Sequence, residues 1–144
     1  MIAKNNIFNI RAGQNWQGKT GVRKGFVEFM NREYAIRAWL ILMRTYRRRG
    51  CKSIRQIVTT FAPPTENNTE GYIDFVCRQT KYNAGCELKA DSSYILLGIA
   101  MAAMETSTQL HYLEIYDVMQ KFNITLVGLT ASKSDKNRIK NLTK

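Results

Sequence analysis

The run Ser92-Ser93-Tyr94-Ile95-Leu96-Leu97-Gly98-Ile99-Ala100-Met101-Ala102-Ala103-Met104 carries no charge until Glu105 closes it. That length is helical, and a helix apolar on every side must be surrounded by other elements. The chain must therefore supply several amphipathic partners around one central rod. It has the material, since 144 residues that are 44% hydrophobic can build one domain with a real core. No apolar run reaches the roughly 18 to 20 residues of a membrane span.

The partners are legible from their periodicity. From Asn31, an N-cap, apolar residues at Tyr34, Ile36, Ala38, Trp39, Leu40, Leu42, Met43 and Tyr46 define a strong helix with a broad apolar face. Arg47-Arg48-Arg49-Gly50 ends it with cations in the last turn and a glycine beyond. Ser53 to Gln56 is a capping box that opens a short helix through Ile57, Val58 and Phe61, which Pro63-Pro64 stops. Thr69 caps a third helix carrying Tyr72, Ile73, Phe75 and Val76, and Asp91 or Ser92 caps the apolar fourth. A fifth runs from about Gln109 to Phe122. Before all of these, residues 5 to 29 read as strands. Asn5 to Arg11 alternates, Ala12-Gly13-Gln14-Asn15 is a turn, and Phe26-Val27-Glu28-Phe29 alternates again. The expected fold is mainly α (α+β): about five helices with a small N-terminal β-hairpin. Residues 1–127 form the domain, and residues 128–144 form a basic, flexible tail rich in Ser, Lys, Asn and Thr.

Charge is unevenly placed. Residues 1–60 hold 13 Lys or Arg against Glu28 and Glu33, while residues 61–144 hold nine of each sign, so the whole net charge of +11 belongs to the first part. Such a surface attracts a polyanion, whether nucleic acid or an anionic cell wall. The densest basic patch is Arg44, Arg47, Arg48, Arg49, Lys52 and Arg55. Three cysteines, Cys51, Cys77 and Cys86, form no CxxC pair, and His111 is the sole histidine. A disulfide framework, a zinc site and a Cys-His nucleophile are all disfavoured, and no metal or cofactor is expected. Met1 to Asn5 lacks the apolar centre of a signal peptide, which predicts synthesis in the cytoplasm.

Three acidic or phenolic groups are candidates for chemistry. Glu105 lies among Met and Ala, where desolvation raises a carboxyl pKa and suits it to protonate a leaving oxygen. Glu66 sits in the loop before the third helix, where an acid can also serve the helix dipole. Tyr72 lies one turn into that helix, facing either core or cleft. Asn5, Asn6, Asn9, Arg11 and Trp16 offer amide groups, a fork of donors and a flat ring to a saccharide, although turn-forming asparagines bond backbone in the same way.

The order of these motifs resembles a family of small lysozyme-like proteins encoded by bacterial viruses and prophages, some of them virion structural proteins. The likeness covers roughly residues 4 to 122. It rests on Asn5-Asn6-x-x-Asn9-Ile10-Arg11 with Trp16-x-Gly18, and on Phe26 to Phe29 with Glu33 and Ile36-Arg37-Ala38. It continues through Ser53 to Ile57 and, most specifically, Ala62-Pro63-Pro64-Thr65-Glu66-Asn67-Asn68-Thr69-Glu70-Gly71-Tyr72. Where such openings read Asn-Pro-Gly-Asn, this chain has Asn6-Ile7-Phe8-Asn9, closer to the Asn-x-Phe-x-Ile strand of autolysin-type glucosaminidases. In those enzymes a glutamate at a helix end lies upstream of the strand. Here the matching glutamate, Glu105, lies downstream, which implies a permuted arrangement with the Asn-rich segment crossing in front of its carboxyl.

The resemblance implies binding of peptidoglycan or another anionic glycan. It also implies cleavage of a β-1,4 bond between amino sugars, with Glu105 as general acid, Tyr72 (as in the Thr-x-x-Tyr of lytic transglycosylases) or Glu66 assisting, and no cofactor. The site of action would be the cell wall or a virion. The alternative is a non-enzymatic protein, a virion component or nucleic-acid binder working through Arg44 to Arg55, with virion proteins or nucleic acid as partners.

Overall fold

The computed structural model describes residues 2–128. Two strands and five helices follow one another: β1 (Lys19–Arg23), β2 (Phe26–Phe29), α1 (Arg32–Arg48), α2 (Ile54–Phe61), α3 (Thr69–Thr80), α4 (Asp91–Thr106) and α5 (Tyr112–Lys121). The mainly helical α+β class expected from the sequence is the class observed. Of the tail expected over residues 128–144, all but Gly128 lies outside the described residues.

α4 is the central rod. Tyr94, Ile95, Leu97, Gly98, Ala100, Met101 and Ala102 are buried, and only its far end surfaces, at Met104. α3 packs on one side of it and α5 on another, α2 covers α3, and α1 lies against α5. At Gly98, α4 packs closely against side chains of α1 and α5. A Cβ there would stand 2.8 Å from Ile115 Cδ1 and 3.0 Å from Trp39 Cζ3, so the absence of a side chain lets α4 meet α1 and α5. Trp39 is fully buried and stacks on Phe8, with ring centroids 5.0 Å apart. That contact ties the N-terminal segment to the helical core.

The helix ends follow their local chemistry. Asn31 caps α1 by accepting the Tyr34 N–H, and Ser53 and Gln56 form the reciprocal capping box of α2. Three expected ends differ. Asn68 rather than Thr69 caps α3, because the Thr69 hydroxyl is drawn 2.6 Å to the Ala62 carbonyl. α4 starts from Ala90 with no side-chain cap, because Asp91 is buried and its Oδ1 accepts the Leu126 and Val127 amides instead. α5 begins at Tyr112, capped by His111, rather than near Gln109.

The β element is also shifted. The hairpin is β1–β2, pairing Arg23 with Phe26 and Val22 with Val27, not a pair built from Asn5 to Arg11. Its two-residue turn is Lys24-Gly25, both at positive φ (50° and 85°), the combination that matches strand twist in a tight hairpin. The stretch expected to turn, residues 12–15, only connects. Asn5 to Arg11 is a looped segment laid along the free edge of β2. The Phe29 amide donates to the Lys4 carbonyl, the Val27 amide to Ile10, and the Ala12 amide to Gly25. Asn5 and Asn9 both take left-handed backbone angles (φ 61° and 52°), which asparagine tolerates better than other non-glycine residues and which breaks any continuous strand.

Candidate active site

α4 surfaces at Glu105-Thr106, and the N-terminal loop closes over that end. Thr106 donates its hydroxyl to the Ile7 carbonyl at 2.8 Å. The Asn9 amide donates both to the Glu105 backbone carbonyl and to its carboxylate Oε1, each at 3.1 Å. One side chain thus satisfies an orphan carbonyl at the helix end and fixes the carboxyl beside it. The backbone conformation at Asn9 is what aims the amide there.

Glu105 is half-buried, and loss of solvent pushes its pKa above the ordinary carboxyl range. Three weaker influences pull it back: the Asn9 hydrogen bond, the Tyr72 hydroxyl and the charge of Arg11. Tyr72 is buried on the inner face of α3, 3% exposed, with its hydroxyl turned toward the Glu105 carboxyl. No hydrogen bond of regular geometry closes between them, yet the hydroxyl is near enough to act on the acid. Burial first, and the Glu105 charge second, hold the phenol pKa above its usual value, so Tyr72 is a neutral donor at any physiological pH. Of the two readings open for Tyr72, the ring takes the core one, and its buried hydroxyl lies toward the acid.

Beside this cluster lies a cavity of about 460 Å³, walled by Asn9, Arg11, Trp16, Tyr46, Phe61 and Glu66 among others. Its lining includes Asn9 but neither Glu105 nor Tyr72, so Asn9 is the link between acid and cavity. Arg11 and Glu66 stand on the same wall as an exposed ion pair, 2.6 Å apart. Arg11 also lies over the Phe26 ring, 5.4 Å from its centroid. Trp16 is 8% exposed, packed into the core rather than offered flat to solvent, with no hydrogen-bond partner for its indole N–H among the described residues. Thr60 borders both this cavity and a larger one of about 860 Å³ that reaches Arg49, Arg55 and Asn68.

One expected saccharide contact needs correcting. Asn6 is fully buried, donates to the Ile10 and Val27 carbonyls and accepts the Ile10 amide, so it has no group left for a ligand. Asn5 donates its amide to the Phe29 carbonyl. Both are turn-formers that anchor the loop to β2, and only Asn9 of the three faces the acid.

The basic residues do not form one patch. Arg44, Arg47, Arg48 and Lys52 line one cavity with residues 125–128, while Arg49 and Arg55 line another. Arg47 is held by the Leu88 carbonyl, Lys52 faces Glu87 at 3.6 Å, and Arg55 pairs with Glu70 at 2.6 Å. Sequence reasoning did not single out Leu42, Tyr46 and Phe61 as cavity walls. The available signal was the width of the α1 apolar face, since Leu42 and Tyr46, one turn apart, lie beside the stripe of Ala35, Trp39 and Met43 that enters the core. Asp91 was likewise read only as a cap. Among the described residues no cluster of three or more His, Cys, Asp or Glu side chains could hold a metal ion. No helix there is long and apolar enough to cross a membrane.

Fold and site together define a small, mainly helical protein with a partly desolvated acid at the C-terminal end of its central helix. No family model matches the sequence. The chain is 32% identical over 127 residues to Protein P5 of Pseudoalteromonas phage PM2, an alignment covering 83% of this chain and 77% of the relative. It therefore belongs to the same family as that phage protein. This is coarser than the lysozyme-like likeness drawn from its motifs, which has no counterpart in the relative's name.

Proposed function

We propose that this is a virion-associated phage protein that binds peptidoglycan and cleaves it in the manner of a lytic transglycosylase or muramidase, with Glu105 as its one general acid. The observation that carries the reading is the Glu105 cluster: a carboxyl oriented by Asn9 at 3.1 Å and backed by the Tyr72 hydroxyl, with desolvation raising its pKa. A protonated Glu105 gives its proton to the glycosidic oxygen as the bond from that oxygen to C1 breaks. The resulting carboxylate then takes a proton from the hydroxyl that attacks C1, either water or the sugar's own hydroxymethyl oxygen. A second free carboxylate is not needed for the intramolecular route, which suits a site where Glu66 is engaged by Arg11. Tyr72 would steady the carboxylate between the two transfers. Asn9, Arg11 and Trp16 line the cavity beside the acid, where a sugar would be held.

The test is clearance of a turbid suspension of purified cell walls. The wild-type chain is expected to lower turbidity, and Glu105→Gln, which keeps the oxygen that Asn9 bonds, is expected to lose that activity while remaining folded. Equal clearance by both proteins would remove Glu105 from the chemistry. No clearance by the wild type on walls that a muramidase digests would remove the activity itself.

A further inference from the structure

The cavity at the end of α1 is lined by chemistry unlike that of the acid. It has a volume of about 490 Å³, and its side walls are Arg44, Arg47, Arg48 and Lys52, with no acidic residue in the lining. Its other wall is formed by residues 125–128. Both walls are fixed. The Arg47 guanidinium donates to the Leu88 carbonyl at 2.8 Å, and the buried Asp91 carboxylate accepts the Leu126 and Val127 amides at 2.9 and 2.8 Å. Lys52 is paired with Glu87 at 3.6 Å, but Arg44 and Arg48, one helical turn apart, make no ion pair among the described residues. Two arginines one turn apart thus line the groove with no acidic partner among the described residues.

We infer that this groove binds the phosphate backbone of nucleic acid without reading sequence. Arginine forks match phosphate oxygens, and a cluster of cations in excess over acids gains affinity by releasing counterions. The lining contains no aromatic ring to stack a base and no Asn or Gln to read one, so contact stops at the backbone. A membrane surface fits less well. Among the described residues the exposed large apolar side chains are Ile2, Val22, Met30 and Met104, and none of them lines the groove to enter a lipid layer.

The test is fluorescence anisotropy of labelled DNA duplexes of two unrelated sequences, titrated with the full chain across a range of salt. Wild type should bind both alike with a steep salt dependence. Arg44→Gln/Arg48→Gln should weaken binding about tenfold or more and reduce the salt slope by about two. Lys19→Gln/Lys24→Gln removes the same charge from the hairpin and should change affinity less than about threefold. Glu105→Gln should bind as wild type does, which separates this site from the proposed glycan chemistry. Equal losses in the two double variants, sequence-dependent binding, or binding only to vesicles of anionic phospholipid would each overturn the inference.

Discussion

At the scale of the residue, three asparagines that look alike in sequence do three different things. Asn5 and Asn6 hold the N-terminal loop to β2, and Asn9 holds an acid. The residue types were legible, but not the allocation, because it depends on which amides meet a strand edge and which meets a helix end 96 residues away. Asn6→Ala should destabilise the protein by about 2–4 kcal/mol, since it leaves buried backbone partners unsatisfied. Chemical denaturation measures this, and a loss under about 0.5 kcal/mol would contradict the anchoring role. Glu105 makes a prediction with the opposite sign. Its folded-state pKa is raised above that of the unfolded chain, so the native state holds the proton more tightly. The stability this provides is complete below the unfolded carboxyl pKa and is lost as pH rises through the raised one. Glu105→Gln cannot suffer that loss. Its melting temperature should match wild type in acid and equal or exceed it at neutral pH. A variant less stable than wild type only at neutral pH would show that the carboxylate is stabilising, contrary to its desolvation.

At the scale of the element, helices were easier to read than the β region, for a physical reason. A helix satisfies its backbone within its own sequence, so caps such as Asn31 and Ser53 and the apolar spacing of α1 reveal it directly. Asn5 to Arg11 satisfies its backbone against β2, and an alternating pattern of Asn and Ile cannot distinguish a strand from two left-handed turns. The same limit explains Thr69 and Asp91, whose side chains left their own helix ends for partners brought up by packing. Gly98 expresses helix packing most sharply. Ala is the better helix former by about 1 kcal/mol, yet Gly98→Ala should be destabilising because its methyl meets both Ile115 and Trp39. Thermal denaturation checks the sign, and an increase in melting temperature would show that α1 and α5 can move apart freely.

At the scale of the whole molecule, the charge asymmetry was plain in sequence, but its division among separate grooves was not. α1 carries its last-turn arginines around the helix, so Arg44 and Arg48 face residues 125–128 while Arg49 faces the cavity beside α2. One carboxylate, Asp91, joins the two ends of that arrangement by fixing residues 126 and 127 to the start of α4. Asp91→Ala should speed hydrogen exchange at the Leu126 and Val127 amides by about tenfold or more, given the usual strength of a bond to a charged acceptor. Unchanged exchange there would mean that the segment is held by its apolar contacts alone. The acid at the other end of α4 is independent of this latch. Family membership makes the chain a relative of a phage protein, and its proposed chemistry stands on Glu105, Asn9 and Tyr72.

The most direct measurement of that chemistry is mass analysis of the soluble fragments released from purified peptidoglycan by wild type and by Glu105→Gln. The account predicts disaccharide-containing fragments from wild type, with an anhydro terminus if the sugar's own hydroxyl attacks, and none above background from the variant. Fragments that are identical with and without the Glu105 carboxyl, or wild-type product lacking any cleaved glycosidic bond, would contradict it.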